Sequence, residues 1–382
     1  MLWLHMAEFK RRKHAEDREV AKIIRLAAEV MHAYERYRGG IQEMRVFDLP
    51  FVVPLPPSGM DAKMFRFLFR WERSELEAVC EALRVPAEIK THSGDKAPGF
   101  DVLCMMSMKY AFPVRLGQLI PFFGFSTSKC SRLIAALRTY IFTEFANKLR
   151  WIPDISEVDI KRFCAGIESK TNFPICMGFI DGTVRPVCKP GLLQGELYNG
   201  KDRVHSLKYQ GFSTPDGMLQ QLSGPWPGRR HDTVMYSHSG LPEWLYSLPR
   251  HASGAMYCVY GDQGYHTQPG LMVPFCDGNV NTRHEAFNEV MSSARIAIEW
   301  EFGGILSYWA SLRWTSEQKF LSGGKIAQVY YVCAFLTNCM NCLRRNNASK
   351  YFGVCPPSLE DYVESVVQRK QQLEVVEVAE DA

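Results

Sequence analysis

The stretch FPICMGFIDGT, residues 173–183, decides the fold. After Pro174 it is a continuous apolar run that leads directly to Asp181 and Gly182. A strand buried on both faces has this pattern, whereas a strand with one face in solvent alternates apolar and polar residues. The sequence therefore predicts a central strand of a sheet that ends at Asp181.

Downstream of this strand the sequence predicts three further strands and two long helices. Pro215, Asp216 and Gly217 form a strong hairpin turn between two of the strands. Extended structure is expected to resume at residues 184–187, with Pro186 at its edge or end. The further strands expected are residues 206–213, 218–222 and 256–260, and the expected helices are residues 285–302 and 327–343. Strands followed by strand–helix alternation predict a mixed α/β domain, with a central sheet flanked by helices.

Four acidic residues are candidates for a metal site because of where they occur. Asp181 and Asp262 follow apolar strands. Asp232 follows a basic loop, and Glu299 lies in the first long helix. Carboxylates that converge at one edge of a sheet repel one another unless a divalent cation lies between them. Hard oxygen ligands select Mg²⁺ or Mn²⁺, and two such ions can activate a nucleophile and stabilise the leaving oxygen of a phosphodiester.

The helix pattern leaves the third acid open between Glu299 and Glu301. Apolar residues form one stripe along this helix, and at about 100° per residue the two glutamates flank the stripe on opposite sides. Asp-Gly is also a common turn dipeptide, so Asp181 taken alone has a purely structural explanation. The argument for a site rests on the joint order of two aspartates after strands and one acid on a late helix.

The chain before the sheet is predicted to be helical, with a helix-turn-helix-like element. Residues 122–125 suit a turn, and Ser126 offers an N-cap to the helix that follows. Lys129 and Arg132 lie near the start of that helix, where such elements contact DNA. A plain helical hairpin fits the pattern equally well, so DNA binding stays open at this point.

The composition excludes several classes of protein. The chain has 382 residues, 46% apolar and 23% charged, with a net charge of +4, which is typical of globular domains and not of disordered chains. No apolar run reaches the ~18 residues of a membrane helix, so we expect an intracellular protein with no membrane partner. The lone CxxC, Cys339 to Cys342, does not predict a zinc site, because no second ligand pair accompanies it.

Five motifs, in this order, resemble the transposases of the PIF/Harbinger superfamily, which are DDE nucleases with a ribonuclease H-like fold. They are FPICMGFIDGT, YNGKDRVHSLKYQG, PWPGRRHD, YGDQGY and RIAIEWEFGGIL. The resemblance implies a metal-dependent endonuclease that cuts transposon ends and joins their 3′-hydroxyls to target DNA. It implies that Asp181, Asp262 and Glu299 are the catalytic acids, that Asp232 is a further metal ligand, and that these four hold two Mg²⁺ or Mn²⁺ ions.

Basic residues near these acids are candidate DNA contacts. They are Lys208, Arg229, Arg230, His231 and Arg295. Arg295 lies one turn before Glu299 on the same helix face, so a phosphate contact, an orienting contact and a plain ion pair are all open for it. The resemblance also implies a Myb-like DNA-binding partner and action in the nucleus, and it leaves room for a homo-oligomer.

We expect four parts in the chain. These are a basic N-terminal segment and linker (1–60), a helix-turn-helix-like DNA-binding region (61–150), the nuclease domain (151–345) and an acidic C-terminal tail (346–382). The chain departs from the family motifs at Val184 and Thr337, which motivates a second hypothesis: a domesticated, catalytically inactive DNA- or protein-binding factor that retains the fold. A third hypothesis is a hydrolase of small phosphoesters.

Overall fold

The computed structural model describes residues 56–152, 155–276, 281–319 and 325–368. The basic run in the first 55 residues and the acidic positions 369–382 therefore lie outside the described residues. Residues 347–366, the start of the predicted tail, are packed against the rest of the protein. Phe352, Leu359, Tyr362 and Val366 are all buried there.

The first part of the described chain is helical, with one short hairpin. Its elements are α1 (Ala62–Phe69), α2 (Arg73–Ala82), β1 (Glu88–Lys90), β2 (Lys96–Pro98), α3 (Gly99–Ala111), α4 (Ile120–Phe123), α5 (Thr127–Glu144) and α6 (Glu157–Thr171). The predicted helix-turn-helix outline is present. Gly124 turns the chain with φ 69°, and the Ser126 hydroxyl accepts from the Lys129 N–H at 3.3 Å, which caps α5.

A six-stranded mixed sheet follows, with helices packed against it. Its elements are β3 (Cys176–Pro186), α7 (Gln194–Leu197), β4 (Tyr198–Asn199), β5 (Val204–Ser213), β6 (Leu219–Pro227), α8 (Asp232–Ser237), α9 (Leu241–Ser247), β7 (Cys258–Tyr260), β8 (Leu271–Met272), α10 (Thr282–Tyr308), α11 (Ile326–Arg344) and α12 (Asn347–Phe352). Strands β4 and β6 both pair with β5, and the order continues β5-β3-β7-β8. The β3–β5 and β5–β6 pairs are antiparallel, whereas β3–β7 and β7–β8 are parallel. This is the ribonuclease H-like arrangement that the sequence predicted.

The prediction that the first strand ends at Asp181 is wrong. Strand β3 continues to Pro186, and Asp181 pairs with Gly211 of β5 in an unbroken antiparallel register. On the other side of β3 the parallel partner β7 stops opposite Phe179. The Asp-Gly dipeptide favours a turn locally, but the ladder with β5 overrides that preference. Asp181 consequently lies beyond the end of β7 on one side of β3, whereas β5 continues beside it on the other side.

Two long helices and the helical first region share one hydrophobic core with the sheet. In α11, the Tyr331 hydroxyl donates to the carbonyl of Leu222 at 2.6 Å, which fixes the helix against β6. Trp71 packs near Trp309, with ring centroids 6.4 Å apart. These contacts hold the first helices and the sheet together.

Helix α11 is long and apolar enough to cross a membrane on length and composition alone. However, 67% of its apolar window is buried inside the protein, as in a core helix. Its buried polar residues are bonded to the sheet and the C-terminal helical residues. The Asn338 amide, for example, donates to the carbonyl of Leu219 and to the hydroxyl of Tyr362, both at 2.9 Å.

Candidate active site

Asp181 lies in β3, and Asp262 comes just after β7, the parallel neighbour of β3. Phe179 of β3 pairs with Tyr260 of β7, and each aspartate comes two residues after its member of this pair. The Asp181 carboxylate accepts from the N–H of Gly182 at 2.9 Å, and the Asp262 carboxylate accepts from the N–H of Gly264 at 3.0 Å. The sheet therefore brings the first two predicted acids to the same rim.

Asp232 lies beside two glycines that are close in sequence to these aspartates, Gly182 and Gly264. A methyl group on Gly182 would lie 2.9 Å from one carboxylate oxygen of Asp232. A methyl group on Gly264 would lie 3.1 Å from the other Asp232 oxygen and 3.0 Å from an oxygen of Asp262. The absence of side chains at these two positions makes room for Asp232 beside β3 and lets it approach Asp262.

Asp232 is the first residue of α8, and its partner is a buried lysine. Lys208 of β5 donates to the Asp232 carboxylate at 2.5 Å and to the carbonyl of Arg230 at 2.9 Å. The side chain of Lys208 is only 11% exposed, so this ion pair lies largely out of solvent. A negative charge at the N-terminus of a helix is further stabilised by the helix dipole.

Glu299 lies on α10 and is connected to Asp181 by the side chain of Arg295. The Arg295 guanidinium donates to Asp181 at 2.9 Å and to Glu299 at 3.1 Å. The side chain of Glu299 is 53% exposed, whereas that of Asp181 is 17% exposed. Arg295 thus bridges a largely buried acid and an accessible one, and of the three roles open for it in the sequence, the ion pair is observed.

The charge of Asp181 is perturbed by its surroundings. Burial raises the pKa of Asp181 to about 6, and the Arg295 guanidinium opposes this rise. The negative charges of Asp262 and Glu299 raise the pKa further, while the N–H of Gly182 lowers it. The three predicted catalytic acids therefore interact electrostatically, which a shared cation requires.

Glu301 does not lie at this rim. Its carboxylate is buried and accepts from the amides of Asn341 at 3.1 Å and Asn346 at 2.6 Å. Burial raises the pKa of Glu301 to about 8. The choice between the two glutamates, which the helix pattern left open, is thus resolved in space: Glu299 lies with Asp181, and Glu301 lies in the interior.

The donor set at the rim suits a hard divalent cation, because carboxylate oxygens are the ligands that Mg²⁺ and Mn²⁺ prefer. In the described part of the chain, no three Asp, Glu, His or Cys side chains lie close enough together to hold one ion. Lys208 and Arg295 supply positive charge to the carboxylates in this arrangement. The chemistry of the donors fits the implied metals, and the observed partners of the acids are two protein cations.

The remaining predicted DNA contacts have varied surroundings. Arg229 pairs with Glu196 at 2.8 Å, and Arg132 pairs with Asp95 at 2.6 Å. The Lys129 ammonium lies 3.8 Å from the ring centroid of Phe125. His231 is exposed just before α8, and the buried Nε of Arg230 has no hydrogen-bond partner among the described residues.

Two features of the rim were missed in the sequence. The contact between Lys208 and Asp232 joins β5 to α8, and nothing in the spacing of the two residues signals it. Thr233 donates to the carbonyl of Gly264 at 3.1 Å, which fixes α8 against the loop after β7. The second glycine of the run Gly-Asp-Gln-Gly, Gly264, was a signal that could have suggested a close approach of other side chains at this position.

Residues 180–338 match the family model of the DDE superfamily endonuclease. The matched range contains all four rim acids together with Lys208 and Arg295. No curated protein and no solved structure matches the chain. The match supports a nuclease domain of the DDE transposase type, for which DNA is the substrate and divalent metal ions are the usual cofactors.

Proposed function

We propose that this protein is a metal-dependent DNA endonuclease of the PIF/Harbinger transposase type, which hydrolyses and transfers phosphodiester bonds. The observation that carries the proposal is the placement of Asp181, Asp262 and Glu299. These acids come from a strand, the loop after its parallel neighbour and a late helix, and they interact at one rim of a ribonuclease H-like sheet.

Asp181 and Asp262, with Asp232 and Glu299 beside them, would hold Mg²⁺ or Mn²⁺, two ions in all. Bound there, the ions would polarise the phosphoryl oxygens and lower the pKa of an attacking water or 3′-hydroxyl. Arg295 orients Asp181 and Glu299, because it donates to both. Glu299, the more accessible of these two acids, is suited to accept a hydrogen bond from the attacking group.

DNA would approach along the basic side chains near this rim. His231 and Arg230 come directly before Asp232, and Arg229 is exposed, so a phosphate can compete with Glu196 for its guanidinium. We propose that Lys129 and Arg132 on α5 form a second point of contact. Arg132 would have to leave Asp95 to reach a phosphate.

A nuclear location and a Myb-like partner that shares target recognition are parts of the same proposal, as is assembly into a homo-oligomer. The alternative function is a domesticated factor that binds DNA or protein without cutting. The pairing of the rim acids with Lys208 and Arg295 favours keeping this alternative, because side-chain cations of the protein themselves contact these carboxylates.

The experiment is the nicking of supercoiled plasmid by the purified full chain in Mn²⁺ or Mg²⁺. We expect metal-dependent conversion to nicked circles, its loss in Asp181→Asn and Asp262→Asn, and its retention in Asp159→Asn, a matched aspartate outside the rim. DNA binding without any nicking in either metal would instead establish the inactive factor. Turnover of a chromogenic phosphodiester with no DNA affinity would establish the small-molecule hydrolase.

A further inference from the structure

A cleft of about 790 Å³ lies between α1 and the helices α10, α11 and α12. Its walls carry six basic side chains from two distant parts of the chain. They are Lys63, Arg66, Arg70, Arg344, Arg345 and Lys350. We name it the basic cleft, and nothing in the proposed catalytic chemistry uses it.

The basic cleft is separate from the rim that holds the acids. Helix α10 contributes residues to both, but from different faces. Trp300, Gly304 and Tyr308 line the cleft, and their mean direction lies about 140° around the helix from Glu299 at 100° per residue. A ligand in the cleft would therefore lie on another side of α10 from the four rim acids.

Two of the six cations have carboxylate partners, while the Arg345 guanidinium donates to the carbonyl of Ser349 and the Arg70 guanidinium lies 4.4 Å from the ring centroid of Phe112. Arg344 donates to both carboxylate oxygens of Glu75, which joins α11 to α2. Arg66 pairs with Glu72 at 2.6 Å, but this pair is exposed and can be exchanged for a ligand anion at little cost.

The other four cations are Lys63, Arg70, Arg345 and Lys350. Among the described residues, no carboxylate lies within 4.0 Å of any of their charged nitrogens. Glu301 is the one acid among the described lining residues, and its oxygens are taken up by two asparagine amides. Four cations around one concavity without carboxylate partners favour an anionic ligand.

Two of these arginines occupy backbone positions that usually take glycine. Arg70 follows α1 with φ 71°, and Arg345 follows α11 with φ 49°. Side chains rarely adopt this left-handed conformation at a helix end, where glycine is the common residue. Both residues line the cleft, so a charged side chain is present where a glycine would fold more easily.

Aromatic rings accompany the charges. Phe67 lies at the cleft with 62% of its surface exposed, and Trp300 and Tyr308 are partly exposed on the opposite wall. Basic side chains alone would suit the backbone of a duplex, whose bases are stacked inside. Rings beside cations suit an unpaired strand, because its phosphates meet the cations while its bases stack on the rings.

We propose that the basic cleft binds a single strand of DNA, apart from the catalytic rim. The choice of DNA as the polyanion rests on the proposed function, whereas the charge and the rings rest on the cleft itself. The cleft would hold a displaced or flanking strand while the rim acts on a phosphodiester elsewhere in the same DNA.

The test is fluorescence anisotropy of a labelled strand of about 16 nucleotides on the full chain in EDTA, over a range of salt concentrations. Log affinity falls with log salt concentration, and the triple variant Lys63→Ala, Arg345→Ala, Lys350→Ala should make this slope less steep by about 2. Phe67→Ala should weaken binding about fivefold or more. Circular dichroism and thermal melting confirm that the variants fold.

The matched control removes three exposed lysines that do not line the cleft: Lys90→Ala, Lys96→Ala, Lys161→Ala. We expect strand binding by this control to resemble that of the unsubstituted chain. An equal loss in control and cleft variants, or no loss in either, overturns the proposal. So does a cleft variant that loses duplex binding but keeps the single strand.

The same proteins are assayed for plasmid nicking, which separates this inference from the proposed function. If the proteins nick plasmid and the cleft variants bind the single strand as well as the unsubstituted chain does, the cleft proposal is refuted and the nuclease proposal stands. Strand binding that depends on the cleft, in a chain that never nicks, refutes the nuclease and leaves the cleft standing.

Discussion

Two groups of acids lie on different sides of α10, and burial raises a pKa in each. At the rim, the pKa of Asp181 is about 6, and in the interior the pKa of Asp216 is also about 6. Their partners differ. Asp181 shares the Arg295 guanidinium with Glu299, whereas Asp216 accepts from the Thr214 hydroxyl at 2.5 Å and from a backbone N–H.

This comparison shows that a raised pKa alone does not identify a site. Asp216 and Glu301 are enclosed and bonded to neutral donors, so they stabilise the junction of the β5–β6 turn with α11 and α12. The rim acids are partly open and lie near other carboxylates and two cations. The chemistry of the partners and the access to solvent distinguish the two groups.

The largest expected difference between the two groups is in DNA cleavage. Glu299→Gln should lower metal-dependent nicking by about a hundredfold or more, because it removes a carboxylate from the reacting centre. Glu301→Gln, two residues along the same helix, should leave the nicking rate within about twofold, because its side chain lies in the interior and away from the rim.

Initial rates of plasmid nicking measure this, with Glu289→Gln as an exposed control on the same helix. If Glu301→Gln lost activity while Glu299→Gln kept it, the assignment of the third acid would be reversed.

The next effect is in the dependence of stability on pH. The pKa of Asp216 rises from its ordinary 3.8 to about 6 in the fold, chiefly through burial. Its contribution to stability is therefore complete below about pH 4 and is lost as the pH rises through about 6. Relative to Asp216→Asn, the unsubstituted chain should lose up to about 3 kcal/mol between these limits.

Urea unfolding of both proteins at several pH values measures the difference. If the free energies of unfolding of the two proteins change in parallel from acid to neutral pH, the pKa of Asp216 does not change on folding.

A smaller loss of stability is expected when Glu301 loses one of its two amide partners. Asn346 donates to Glu301 at 2.6 Å, and its own oxygen accepts from the N–H of Ser349 at 3.0 Å, which caps α12. Asn346→Ala should lower the free energy of unfolding by about 2 kcal/mol, since a buried acceptor and a helix cap are both affected.

Asn347→Ala is the matched control, because Asn347 is the exposed neighbour of Asn346. It should cost no more than about 0.5 kcal/mol in the same denaturation experiment. Equal costs for the two variants would contradict a structural role for the interior cluster.

The smallest expected effect on stability comes from replacing Lys208, the cation that pairs with Asp232. Lys208→Met should lower the free energy of unfolding by about 1 kcal/mol, because Asp232 loses its partner but is 25% exposed and can be hydrated. Lys201→Met, at an exposed turn position, should change it little. Thermal melting of both variants checks the ranking, and a larger cost for the turn variant would contradict it.

Much of the sheet was predictable because its strands are apolar runs. The positions of the main strands and the aspartate after β7 follow from local sequence, and the ribonuclease H-like sheet follows from the family likeness. Extended structure at residues 184–187 was predicted, but its continuity with the first strand through Asp181 and Gly182 was not, because that continuity depends on β5. Local preference at an Asp-Gly pair and pairing across the sheet point in opposite directions, and only the structure shows which dominates.

The separation of Glu299 from Glu301 was also beyond the helix pattern. It depends on Asn341 and Asn346, which come from the next two helices. The basic cleft was missed for the same reason, since Lys63 and Lys350 come from opposite ends of the described chain. Neither stretch looks unusual by itself, and the concentration of charge arises only from tertiary packing.

Under the proposed nuclease function, Gly264 sets a limit on how far related chains can diverge and still cut DNA. Any side chain at this position would crowd the carboxylates of both Asp232 and Asp262. A lineage under selection for cleavage should therefore retain glycine here, whereas a lineage that has given up cleavage is free to accumulate larger residues. The residue at this one position could thus sort working copies from retired ones in a genome survey.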